Sequence, residues 1–184
     1  MKSLFTILLV FLIHTNGLAQ NRFQTYPEQE QFNVMSEYLT RGSGQWRGEN
    51  PRFNPQNPRS PKAFGLWFER TMYNLLTIKI VAYRQDTTLI NSQGIFAWNP
   101  QKKQYMHITA DRGGGYAEGV TEFPNDSTFV SIMKVYRPNG KVLDHKDENF
   151  VVNENEHRNT SFNKDEQGNW VENNNWIWKR EPLD

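Results

Sequence analysis

The chain has 184 residues, a formal net charge of +1 and no cysteine. Disulfides are therefore excluded, and a small domain must be held by its core alone. Near-equal basic and acidic counts speak against nucleic acid or an anionic membrane surface as partner, because both demand clustered positive charge.

Residues 1–19 begin with Lys2, continue through an unbroken apolar run from Leu4 to Ile13, and end in Gly17-Leu18-Ala19. A positive start, a short apolar middle and a small-residue end predict a secretory signal peptide cut near Ala19. The apolar run is short of the roughly 20 residues that span a bilayer, so the chain is not expected to be membrane-spanning. Lys2 is the only Lys, Arg, Asp or Glu removed by the cut, which leaves 20 basic against 20 acidic residues. The expected location is secreted or periplasmic. Residues 20–27 are predicted to form an exposed leader, and residues 28–184 one domain.

Glu28 to Leu39 places Phe32, Met35, Tyr38 and Leu39 at near-helical spacing, with Glu28 and Glu30 at the start and Gly42 after the end. This predicts one short amphipathic helix covering an end of the domain. Gly44-Gln45-Trp46-Arg47-Gly48 follows and reads as the first strand. Glu49 to Pro61 then carries four prolines and three asparagines, which rules out regular structure. A loop this long suits either a lid or a surface excursion.

From Ala63 the chain alternates strands and turns. The predicted strands are 64–73, 75–84, 89–98, 104–111, 116–123, 128–136, 142–152, 157–163 and 170–180. Pro138-Asn139-Gly140 is the clearest hairpin signal. Ten strands at regular spacing, joined by short turns, predict an all-β fold: a closed antiparallel up-and-down barrel with one short N-terminal helix, since closure removes exposed edges.

Three groups of residues resemble a known family. Gly44-Gln45-Trp46-Arg47-Gly48 resembles the glycine-x-tryptophan opening of lipocalins and their calycin relatives. Gly94-Ile95-Phe96-Ala97-Trp98-Asn99-Pro100 before Tyr105 is similar to a rhythm found in secreted bacterial lipocalin-like proteins, and Gly168-Asn169-Trp170 with Trp176-Ile177-Trp178-Lys179-Arg180 fits as well. The resemblance implies a calycin-like barrel in which Trp46 packs under Arg180 or Lys179, with Gly44 and Gly48 completing a structural clasp. Haem-binding relatives with ten strands use a His near the C-terminus. This chain has none after His157, which sits beside a turn between Glu156 and Arg158, so haem is not expected there.

The candidate lining residues are Phe68, Arg70, Tyr83, Phe96, His107 and Tyr136. His107 shares a strand face with Tyr105, Thr109 and Asp111, opposite Met106, Ile108 and Ala110. It enters the interior only if the polar face turns inward; soluble barrels usually bury the apolar face. Arg70 shares parity with Leu66 and Phe68, and is either a strand-end residue or a receptor for a ligand carboxylate. Within Asp144-His145-Lys146-Asp147-Glu148, alternation puts Asp144 and Glu148 on one face and one His with one carboxylate, His145 and Asp147, on the other. That is too few for a metal, and the run reads as a solvated polar strand. Trp170, Trp176, Trp178 and Arg180 share parity on the last strand.

No catalytic motif, cofactor or metal site is expected. The leading reading is a barrel that binds a small, mostly apolar ligand in its cavity. The alternatives are a filled barrel that meets protein or glycan through its loops and, third, a calycin-type enzyme, for which His107 would have to pair with Asp111 or Glu118 inside a pocket.

Overall fold

The computed structural model describes residues 27–183, so the predicted signal peptide and most of the leader lie outside the described residues. Among the described residues one helix, α1 (Pro27–Thr40), precedes ten strands. These are β1 (Gln45–Glu49), β2 (Ala63–Met72), β3 (Leu75–Tyr83), β4 (Thr88–Asn99), β5 (Gln104–Asp111), β6 (Tyr116–Asn125), β7 (Thr128–Tyr136), β8 (Val142–Asn153), β9 (Glu156–Lys164) and β10 (Trp170–Arg180). Each strand pairs antiparallel with its neighbour in sequence, and β1 pairs with β10 to close the ring. No strand edge is left open, as the regular strand spacing predicted.

The helix follows from its sequence. Pro27 suits the first turn because its missing N–H has no partner there, and Glu28 and Glu30 lie at the positive end of the helix dipole. Phe32, Met35, Ser36 and Leu39 recur every three to four residues and are buried against the barrel. Phe32 stacks on Tyr105 of β5 with ring centroids 3.8 Å apart.

The last turn of α1 contains no basic residue, so the negative end of the dipole and its open carbonyls are met by the barrel instead. Trp46 Nε1 donates to Leu39 O at 2.9 Å. Arg180 Nη2 donates to Tyr38 O at 2.7 Å and Nη1 to Arg41 O at 2.6 Å. Trp46 and Arg180 are also register partners across the β1–β10 seam, and the guanidinium lies 4.1 Å from the indole centroid. Two glycines make this possible. Gly44 has φ +66°, and a Cβ there would press into the Phe68 carbonyl; a Cβ at Gly48 would meet the Trp178 ring at 3.0 Å.

The Asn50–Lys62 connection is irregular but self-supported. Asn50, Asn54 and Asn57 each accept a backbone N–H two residues on. None of its residues borders the cavity described below, so the lid reading does not hold in this structure. On β10 a register shift between Glu172 and Asn174 inserts one residue. It reverses parity, and Trp170 therefore faces outward beside Lys146 and Lys164, while Trp176 and Trp178 face inward.

Candidate functional site

Alternation along the strands decides what faces the barrel interior. From β10 through β1 to β4, the inward positions carry Trp178, Trp176, Phe64, Leu66, Phe68 and Phe96. From β5 to β9, they carry His107, Ser131, His145, Asp147, Asn159 and Ser161. One half of the ring is thus mainly apolar and aromatic, and the other gathers the polar side chains, interspersed with Ala117, Phe129, Met133 and Val135. Short side chains leave space: the cavity between the two halves has a volume of about 380 Å³. It runs up to Asn91, Asp111, Gly115 and Tyr116, which stand at strand ends away from α1. At about 30 Å³ per molecule, that is room for about a dozen waters, or one small organic ligand.

Two hydrogen-bonded groups occupy the polar half. In the first, His107 Nδ1 lies 3.2 Å from Ser131 Oγ, which lies 2.8 Å from Thr121 Oγ1. His107 is 7% exposed and rests against Phe96 at 4.2 Å between ring centroids. Its second nitrogen, Nε2, is buried with no partner. Burial pushes the imidazole pKa down to about 4, only partly offset by the charge of Asp147, so the ring is neutral at ordinary pH.

The second group is built on Asp147. Its Oδ1 accepts from Ser161 Oγ at 2.5 Å and from Asn159 Nδ2 at 3.3 Å, and its Oδ2 lies 3.2 Å from His145 Nε2. His145 Nδ1 in turn meets Asn163 Oδ1 at 2.8 Å. Both imidazole nitrogens therefore face acceptor oxygens, an arrangement that suits the doubly protonated ring. Burial opposes charge on both partners. The mutual contact and the neighbouring hydrogen bonds outweigh it, raising the His145 pKa and holding Asp147 below the usual carboxylate range.

Several expectations are corrected here. The 144–148 run is not a solvated strand, since β8 alternation turns His145 and Asp147 inward. His157 was not expected to reach the interior, yet it is 0% exposed between Trp46 and Trp178, with neither nitrogen hydrogen-bonded. It lies toward the α1 end, below the cavity, and does not border it.

Of the six predicted lining residues, Phe68, Phe96 and His107 border the cavity. Tyr83 does not: it alternates with Lys79 and Val81 on the outer face, where its hydroxyl donates to Glu181 Oε2 at 3.0 Å and accepts from Trp67 Nε1 at 3.2 Å. Tyr136 alternates outward with Lys134, and its hydroxyl reaches Glu118 Oε1 at 3.4 Å. Arg70 has the inward parity assigned to it but stands at the helix-covered end. There it donates to Asn33 Oδ1 of α1 and to Tyr73 O, so it anchors the helix and does not reach the cavity. The residues that reasoning from sequence missed are Ser131, Asp147, Asn159 and Ser161. The one available signal was the placement of Asp147 and His145 two apart on a strand.

His107 pairs with neither Asp111 nor Glu118. Asp111 accepts from the backbone of Gly113 and Gly115 in its own turn, and Glu118 accepts from Tyr116. Among the described residues no group of three His, Cys, Asp or Glu side chains comes together to hold a metal ion.

The fold and site together define a closed ten-stranded β-barrel with an internal, ligand-sized cavity. Neither a protein-family model nor a curated protein matches the chain.

Proposed function

We propose that the protein is a calycin-like barrel, secreted or periplasmic after removal of residues 1–19, that holds a small, mostly apolar ligand inside the ring. The observation that carries this reading is the cavity of about 380 Å³, open at one end and walled on one side by aromatic and aliphatic residues. Its size falls within the range of small-molecule sites, and an apolar wall with a few convergent polar groups is their usual composition. The open volume favours this reading over a filled barrel that works only through its loops. The leader reading rests on the pattern of residues 1–19 alone.

The test is uptake of N-phenyl-1-naphthylamine, an uncharged apolar dye that brightens on leaving water. Wild-type protein is expected to bind it saturably. Ala117→Trp, which projects a large ring into the cavity from β6, is expected to abolish uptake while far-UV circular dichroism stays unchanged. No uptake by wild type, or equal uptake by a folded Ala117→Trp, overturns the reading. The intact mass of protein recovered from its native envelope checks the leader: a mass matching residues 20–184 is expected.

A further inference from the structure

The inner end of the cavity holds a polar group that the protein itself leaves unused. Along β8 the inward positions run from His145 through Asp147 to Asn149, and the next, Val151, packs into the core beneath α1. Asn149 is therefore the one of these polar side chains that stands nearest the helix-covered end, away from the mouth at Asp111 and Tyr116. Its register partners are Phe129 on β7 and Asn159 on β9, and Asn159 is partnered in turn by Trp176 on β10.

The other buried polar residues that border the cavity are bonded within its wall. His107 meets Ser131, while Asn159 and Ser161 meet each other and Asp147. Asn149 is the exception. It is 7% exposed, yet among the described residues nothing hydrogen-bonds its side-chain amide. His107 Nε2 is sealed off, but the oxygen and nitrogen of this amide both keep accessible surface. Because Asn149 borders the cavity, a molecule inside can reach them. A buried amide is expected to have partners, and here only the contents of the cavity can supply them.

A side-chain amide presents an N–H donor and a C=O acceptor in one plane. The edge of a carboxamide or lactam presents the same pair in reverse and satisfies both at once. An ester offers acceptors alone and leaves the Asn149 carbonyl unpaired, and a single hydroxyl meets donor and acceptor together only in poor geometry. Building on the cavity reading above, we propose that the ligand carries a carboxamide or lactam edge at its inner end, paired with both the donor and the acceptor of Asn149. Its apolar body lies along the Phe64–Trp176 wall, where the rings meet edge to face at 5.4 Å. The end of the ligand at the mouth meets solvent and is not selected by this contact.

The experiment compares probes built on one ring system by isothermal titration: 2-naphthamide, methyl 2-naphthoate and 2-naphthol. On wild-type protein the amide is expected to bind about tenfold tighter than either of the others, since each of those leaves part of Asn149 unpaired. In Asn149→Leu, of similar size and apolar, amide and ester are expected to bind within about twofold of each other. The readout is a ratio on one variant, which a merely structural role for Asn149 would not move. Saturating 2-naphthamide is also expected to shift the side-chain ¹⁵NH₂ resonances of Asn149 in wild-type protein, a measurement that requires no variant to fold. Ester or naphthol binding as tightly as the amide overturns the ligand class. An amide preference that survives in Asn149→Leu, or Asn149 resonances unmoved at saturation, overturns the role of Asn149. If the dye of the previous test is taken up and none of the probes binds, this inference falls and the cavity reading stands; if the dye is not taken up either, both fall.

Discussion

Replacing Arg180 tests how the barrel floor is held. Its guanidinium joins three things that are far apart in sequence: the Trp46 indole on β1, the Tyr38 and Arg41 carbonyls at the end of α1, and the Glu154 carbonyl in the β8–β9 turn. A cation over an indole at a half-exposed site contributes about 1 kcal/mol. Each of the two hydrogen bonds to the helix end contributes about 1 kcal/mol net, part of it from the charge at the negative end of the dipole. The Glu154 contacts are exposed, and water replaces them at little cost. Arg180→Ala is therefore expected to cost about 3 kcal/mol, which for a domain of this size lowers Tm by about 6–12 °C. Arg180→Lys keeps the positive charge but loses the planar fork, and is expected to recover about half of the loss. Thermal melts by circular dichroism read both. Dye uptake at 20 °C is expected to be unchanged in either variant, because Arg180 does not border the cavity. A fall in Tm of less than about 2 °C for Arg180→Ala would refute the reasoning.

The remaining predictions concern acid and the Trp46 donor. Burial lowers the pKa of His107 to about 4 and of His157 to about 3, so the unfolded chain takes up these protons near pH 6.5 while the folded chain resists them. Their contribution to stability is full above about pH 6.5 and declines as pH falls towards 4, by at most about 1.4 kcal/mol per pH unit for each His. The raised pKa of His145 acts in the opposite sense, adding stability as that group protonates in the fold. Urea midpoints measured from pH 7.5 to 4.5 are expected to fall on the acid side, less steeply in His157→Phe; a flat profile would sink this account. Trp46→Phe removes the donor to Leu39 O and leaves that carbonyl and part of the indole volume unfilled. A loss of about 2–3 kcal/mol in urea denaturation is expected, and a loss within experimental error would mean that the contact is replaceable.

Much of this architecture was legible from local signals. Turns such as Asn139-Gly140 and Gln167-Gly168-Asn169 bound the strands, and the strands alternate strongly enough to be counted. The helix declares itself through Phe32, Met35 and Leu39. Gly44-x-Trp46-x-Gly48 marked the floor, because a backbone that passes under an indole tolerates little else. What could not be read was which way several strands face. On β8 the outward positions hold Phe150 and Val152, each at least 40% exposed, while the inward ones hold His145, Asp147 and Asn149. A rule that sends apolar residues inward fails on such strands, because a barrel that keeps an open interior need not fill it with carbon. The bulge at Glu172–Asn174 defeats counting in another way, by moving Trp170 to the opposite face from Trp176. His157 lay too close to a turn for its burial to be expected, and only the ring closure that brings Trp46 and Trp178 around it explains its place.

The seam between β1 and β10 carries a consequence for how the molecule is made. Arg180 and the Tyr38 carbonyl it meets are 142 residues apart, and only two register pairs, Trp46 with Arg180 and Arg47 with Lys179, zip the first strand to the last. On a ribosome, every hairpin from β2 to β9 can form as it emerges, since each strand pairs with the one just before it. The ring cannot. Until β10 emerges, the carbonyls at the end of α1 lack the Arg180 guanidinium, Trp46 lacks its cover, and β1 has one bare flank. Ring closure therefore waits for β10, and a chain that ends before Lys179 is expected to leave that flank of β1 unpaired.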